Sequence, residues 1–331
     1  MGLVGALAAC GSSSSSTSSS PSASTSGAAS TTAAAAGKKP NIAYLNITSN
    51  PYGSAEIRGV KSTGAKLTAF SSNFDPQKLL SQCQDAVNSG RYNVLIVGSA
   101  DGASAIPCAR LAAAKKIPVL ATVFPISKNL EDLEPTTPGV MGQVVTIPSA
   151  DTQLELKEIK AACAGANPCP VLYDIVNPYS PLSQSTLAYL KAHPDEAAGI
   201  KIVGKWSSNY DPAQTQKNLP PLLRAHPNVK VVYAADDVGA ASIPAMLKRA
   251  GVKAKVVTNG YSSLAADAIK AGTIQSTVIA LPFSSGQKLG EMANAVVNGK
   301  PIDETGVDNL KLGPPSGLVD KQNVDEVKPQ Y

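Results

Sequence analysis

Ser71-Ser72-Asn73-Phe74-Asp75-Pro76-Gln77 recurs in this chain as Ser207-Ser208-Asn209-Tyr210-Asp211-Pro212-Ala213-Gln214. Each copy follows a short apolar stretch, 66–70 and 201–204, that reads as a strand, and each opens a helical pattern. Asp75 and Asp211 stand where an N-cap side chain accepts the first free backbone N–H groups of a helix. Pro76 and Pro212 take the first helical position, whose N–H has no intrahelical partner. The same strand–turn–helix unit is therefore used twice. Solenoid repeats run about 20–50 residues, and these copies lie much further apart, so the repeat implies two similar lobes with a cleft between them.

On both sides of the repeat, strands and helices alternate. Apolar strands are expected at 41–47, 66–70, 93–97 and 118–123, with helices at 52–64, 76–89 and 105–115. The Pro-rich stretch 125–142 reads as irregular. The alternation then restarts, with helices at 149–164, 183–193, 212–226, 240–250, 262–271 and 282–298. Strands fall at 170–175, 201–204, 229–234, 255–258 and 275–280, followed by an extended tail. Strands separated by helices of this length imply parallel βαβ units and an α/β fold. Ligands of open parallel sheets bind beyond the carboxyl ends of the strands. Polar and aromatic residues collect at those ends: Asn46, Asn50, Tyr52, Phe124, Asn177, Tyr179, Trp206, Tyr210, Asp236, Asn259, Tyr261 and Phe283. These are the candidate ligand-binding residues. Trp206 fits the cleft and the lobe core equally well. Of the two repeat aromatics, Phe74 is expected to pack within its lobe. Of the acidic pair, Asp236 is expected to face the cleft and Asp237 to cap the next helix.

A chain of 331 residues has room for two such lobes. Its net charge is +5, yet no Lys, Arg, Asp or Glu precedes Lys38. No basic cluster with interleaved aromatics occurs, which argues against a nucleic-acid partner. The first residues are apolar and small, ending in Leu7-Ala8-Ala9-Cys10, and resemble a bacterial lipobox with Cys10 as the lipidated residue. The stretch is too short to span a membrane. The basic n-region of a signal peptide is missing ahead of it, so the expectation is a start further upstream or a trimmed leader. Residues 11–37 are almost entirely Ser, Thr, Ala and Gly. Such a segment cannot bury enough apolar surface to fold and is expected to be a tether. A chance cysteine in a disordered terminus is the alternative.

Apart from Cys10, four cysteines remain, an even number that suits an exported protein. Cys163 and Cys169 close a short loop and can bridge locally. Cys83 and Cys108 fall on consecutive helices, where a second bridge is expected; four free thiols are the alternative. No close Cys/His spacing suggests a metal, and no cofactor is expected.

With these elements placed, several short motifs resemble the type I periplasmic substrate-binding proteins of the ribose/galactose-binding class, which serve ABC importers. Asn50-Pro51-Tyr52 follows the first strand, and Ile117-Pro118-Val119 precedes the fourth. Ala225-His226-Pro227-Asn228-Val229 leads to a strand ending in Ala234-Ala235-Asp236-Asp237, and Ala271-Gly272-Thr273-Ile274 precedes a later one. The resemblance runs from about Asn41 to about Asn309. It implies two Rossmann-like lobes with parallel sheets joined by a three-segment hinge. The lobes would be 38–147 plus 283–311 and 148–282 plus 312–331, with 1–37 as lipobox and tether. It also implies ligand contacts at Asn50, Tyr52, Tyr210 and Asp236. The charged set of the sugar binders is thinned, with Val123-Phe124, Gly260 and Ala280 at positions where that class carries polar residues. The expected ligand is therefore sugar-like or a less hydroxylated, partly apolar small molecule. The expected function is extracytoplasmic solute capture for an ABC permease by a monomer anchored to the membrane at Cys10. Three alternatives stand beside this one. A ligand-sensing lipoprotein serving a receptor shares every feature. An exported α/β hydrolase lacks a nucleophile elbow or triad here. A two-lobed regulator would need an N-terminal helix-turn-helix where the tether lies.

Overall fold

The computed structural model describes residues 37–331 apart from Glu196 and Ala198. Cys10 and nearly all of the serine-rich segment lie outside the described residues. The strands are β1 (Asn41–Asn46), β2 (Lys66–Ser71), β3 (Val94–Gly98), β4 (Val119–Val123), β5 (Val140–Val145), β6 (Cys169–Asp174), β7 (Ile200–Trp206), β8 (Val231–Ala234), β9 (Lys255–Asn259), β10 (Ser276–Val278), β11 (Gly306–Asp308) and β12 (Leu318–Asp320). The helices are α1 (Pro51–Ser62), α2 (Pro76–Asn88), α3 (Ile106–Ala114), α4 (Pro148–Cys163), α5 (Pro181–Ala192), α6 (Pro212–Ala225), α7 (Asp237–Ala240), α8 (Ile243–Ala250), α9 (Ser263–Lys270) and α10 (Pro282–Val297).

The strands form two six-stranded sheets, ordered β11-β5-β4-β3-β1-β2 and β12-β10-β9-β8-β6-β7. Pairing is parallel throughout except for β12, which runs antiparallel to β10. The central strands β1 and β3 are almost fully buried, as strands covered by helices on both faces must be. Six of the described helices begin on a proline, at Pro51, Pro76, Pro148, Pro181, Pro212 and Pro282. Each proline removes an N–H that the first helical turn could not have paired.

The chain passes between the sheets at three places: from β5 to α4, from β10 to α10, and from β11 to β12. Helix α10 follows the second sheet yet packs on α1 beside the first. That packing is backbone on backbone. A Cβ on Gly286 would sit 2.0 Å from the Glu56 carbonyl oxygen, so only glycine lets the two helices approach this closely.

Sequence and structure differ in three elements. Strand β5 begins in the last residues of the stretch read as irregular and runs past it; its Gln143 is buried and donates to the Asp132 and Leu133 carbonyls at 2.8 and 2.7 Å, pinning the preceding loop. The helix expected over 240–250 is broken into α7 and α8, with α8 carrying proline at its start. The tail is more than extended chain: it supplies the short strands β11 and β12 to different sheets.

The structure contains both cysteine bridges, Cys83–Cys108 between α2 and α3 and Cys163–Cys169 between α4 and β6. Among the described residues no helix is long and apolar enough to cross a membrane, and no group of His, Cys, Asp and Glu is arranged to hold a metal ion.

Candidate ligand-binding cleft

Beyond the carboxyl ends of the strands of both sheets lies a cavity of about 1000 Å³. The two copies of the repeated segment face each other across it. In each copy the Asn and the aromatic adopt left-handed backbone: φ is 54° and 63° at Asn73 and Phe74, and 51° and 53° at Asn209 and Tyr210. This conformation costs a side-chain-bearing residue about 1–2 kcal/mol, and each turn is held by hydrogen bonds that offset the cost. Phe74 N–H donates to the Ile47 carbonyl and Asn209 N–H to the Val176 carbonyl. Gln82 on α2 and Asn218 on α6 donate to the carbonyls of Ser71 and Ser207, both at 3.0 Å. Asp75 and Asp211 cap α2 and α6. The result aims both rings into the cleft.

Of the candidate residues, Asn46, Asn50, Tyr52, Phe124, Asn177, Tyr179, Tyr210, Asp236 and Asn259 line this cavity. Several also shape its walls. Asn50 caps α1, its Oδ1 accepting from Gly53 N–H at 2.8 Å. Asn177 turns its own loop by accepting from Tyr179 N–H at 2.9 Å, and Tyr179 stands exposed at the rim.

Three candidates are not at the cavity. Trp206 is buried in the core of the second sheet with Leu219, Leu223 and Val232, because the last residue of β7 points into the sheet–helix layer rather than past the strand end. Tyr261 is wholly buried, and its hydroxyl donates to the Val324 and Val327 carbonyls, fastening the tail. Phe283 sits in the first turn of α10, with its backbone carbonyl against Gly59 of α1.

The expectation for Phe74 is also revised. Phe74 lines the cavity and stacks against Tyr210. In the acidic pair it is Asp236, not Asp237, that caps α7, through Val238 N–H and Gly239 N–H. Asp237 accepts from Ser262 N–H at 2.5 Å and from the Tyr331 hydroxyl at 2.9 Å. Both still line the cavity.

Residues that sequence reasoning missed complete the site. Asp151, in the first turn of α4, is 2% exposed; its Oδ1 accepts from Asn259 Nδ2 at 2.9 Å while its Oδ2 has no partner. Asn309, just after β11, donates to Thr146 Oγ1 at 2.7 Å and leaves its Oδ1 unpaired. Tyr331 reaches the cavity from the tail, its ring edge-on to Tyr52 at 6.1 Å. The one available signal for Asp151 was its spacing with Glu155 and Glu158, which places three carboxyls on one face of α4.

Burial governs the electrostatics here. It pushes the Asp151 carboxyl up to about 6, with the nearby Asp308 adding to the rise. Burial and the adjacent Asp237 push Asp236 up to about 7. The Tyr52 and Tyr210 hydroxyls are held above their ordinary value, chiefly by burial, and stay neutral. Asp174, at the end of β6, lies under the site and ties three segments together by accepting from Val176, Ser208 and Ala235 N–H.

This geometry suits reversible capture of a small organic molecule between aromatic faces and fixed polar groups. Comparison with known proteins agrees with the arrangement. Residues 44–301 match the family model described as periplasmic binding protein domain. An ABC transporter periplasmic solute binding protein from Actinobacillus succinogenes, solved with bound D-allose, is 23% identical with a TM-score of 0.71, covering 87% of this chain and 100% of its own. A carbohydrate transporter protein from Acidothermus cellulolyticus in complex with myo-inositol is 19% identical (TM-score 0.71; 88% and 97% covered). An ABC transporter solute binding protein from Mycobacterium smegmatis with bound glycerol is 21% identical (TM-score 0.71; 89% and 99% covered). With its paired parallel sheets, three crossings and family match over most of its length, the chain belongs to the periplasmic binding protein domain family.

Proposed function

We propose that the protein captures a small solute in the cleft between its two sheets and delivers it to the permease of an ABC importer. The observation that carries this reading is the cavity of about 1000 Å³, walled by strand ends of both sheets in a chain of this family. Similar folds hold D-allose, myo-inositol and glycerol, which supports a ligand of that size. The aromatic walls of this cleft support one that is less hydroxylated and partly apolar. The lobes are 38–147 plus 283–311 and 148–282 plus 312–331, closing on solute about the three crossings as a hinge. The protein binds rather than transforms its ligand, acts as a monomer outside the cytoplasm, and is held at the membrane by a lipid on Cys10 with 11–37 as tether.

A thermal-shift screen of sugars, polyols, amines and aromatic acids tests the reading, because a ligand that binds only the folded state raises the melting temperature by mass action. A saturable shift with one class supports solute capture. A flat response across all classes contradicts it.

A further inference from the structure

We propose that the solute carries a protonated amine attached to an apolar or aromatic body, and that the amine seats on Asp151 Oδ2 and Asn309 Oδ1. This rests on the solute-capture reading and names the class of solute.

Two observations independent of each other point to it. The first is the charge of the wall. Among the described residues lining the cavity there are four aspartates, Asp101, Asp151, Asp236 and Asp237, and no Lys, Arg or His, although the chain as a whole is net positive. The second is a pair of buried acceptors without donors. Asp151 is 2% exposed and Asn309 7%; both residues line the cavity, and each keeps one buried side-chain oxygen unpaired. A buried acceptor left unsatisfied is costly, so such a pair implies that the missing donor arrives with the ligand. An ammonium has only donors to offer, which matches acceptor-only positions, whereas a hydroxyl brings lone pairs that need donors of their own.

The rest of the wall fits the same group. Tyr52, Phe74, Phe124, Tyr210, Tyr233 and Tyr331 present rings to the cavity. Aromatic faces attract a cation and pack against an apolar body. Beyond Asp151, Glu155 and Glu158 continue along the same face of α4, with no basic side chain in ion-pair reach among the described residues.

The test is isothermal titration calorimetry on the full chain at pH 8, with 2-phenylethylamine, its neutral isostere 2-phenylethanol, D-allose and myo-inositol as probes. The amine is expected to bind at least about tenfold more tightly than the alcohol, a difference of about 1.4 kcal/mol. Asp151→Asn keeps an oxygen for Asn259 and is expected to abolish the preference of amine over alcohol. Asn309→Ala should reduce it, and circular-dichroism melting confirms that both variants fold. Equal binding of amine and alcohol, or a preference that survives Asp151→Asn, overturns the proposal. If D-allose or myo-inositol binds more tightly than the amine, the amine assignment falls while solute capture stands. If no probe releases heat the amine assignment falls, and a flat thermal-shift screen across every class would remove the solute-capture reading with it.

Discussion

Phe74 and Tyr210 stack across the cleft, with ring centroids 6.3 Å apart and planes 18° from parallel. They are the same position of the repeated segment, one from each sheet's half, each carried on a left-handed turn. The two rings therefore form a matched pair of jaws. Stacked aromatic pairs contribute about 0.5–1.5 kcal/mol beyond their buried area. Tyr210→Ala and Phe74→Ala should each weaken solute binding by roughly tenfold and leave the fold intact. Because the two rings are paired, the double variant should be less than additive in a binding cycle measured by calorimetry.

Trp206→Ala should behave in the opposite way. The side chain is 4% exposed within the core of the second sheet, so its removal leaves a cavity and costs about 3–5 kcal/mol of stability. Chemical denaturation should register that loss. Affinity measured below the transition should be unchanged.

The tail makes a different prediction. Tyr331 donates its hydroxyl to Asp237 at 2.9 Å and accepts from Tyr261 N–H at 3.1 Å. Gln330, one residue earlier, accepts from Ser284 N–H at 3.0 Å and, through its carbonyl, from Arg58 at 3.0 Å. The segment thus joins Asp237 and Tyr261 of one half to Arg58 on α1 and Ser284 on α10. Tyr331→Phe removes only the hydroxyl and leaves Asp237 short of one donor, at a cost of about 1–3 kcal/mol. Thermal melting should show the loss, and solute affinity should change with it because the ring edge meets Tyr52 in the cavity wall.

Buried carboxyls set the dependence of stability on pH. Burial pushes Glu155 up to about 8, Glu56 up to about 7 and Asp151 up to about 6, all above their ordinary range. The folded state therefore holds protons that the unfolded chain releases near pH 4 to 4.5. Between that range and about pH 8 the folded state binds more protons than the unfolded one, so its stability must fall as pH rises. The melting temperature should be higher at pH 5.5 than at pH 8. Glu155→Gln keeps the contact with Thr186 but cannot ionise, and should flatten the upper part of that slope.

Much of this molecule is readable in its residues, and the unread parts share a cause. The alternation of apolar runs and capped helices gave the βαβ order, since Asp75-Pro76 and Asp211-Pro212 mark helix starts without reference to tertiary structure. Strand β5 is hard to read because Gly142 and Gln143 break its apolar run, and the buried Gln143 is satisfied by two carbonyls of the preceding loop. The same limit applies to the cleft. Asn50, Tyr52 and Tyr210 stand directly at strand ends, where local order fixes their direction. Trp206 and Tyr261 stand equally near strand ends but turn inward, a choice made by the volume left between sheet and helix. Tyr331 and Asn309 reach the cavity through the path of the tail, and nothing within a few residues of either encodes that path.

The placement of the two disulfides has a further consequence. Cys83–Cys108 ties helices around the first sheet and Cys163–Cys169 ties α4 to the second; neither spans the crossings between them. A change in redox environment would therefore act on the durability of each half while leaving the posture of one half against the other untouched. Posture is left to weaker bonds, among them the Gln330–Tyr331 clasp, the Phe74–Tyr210 stack and whatever occupies the cleft, which are bonds that can open and close many times in the life of one molecule.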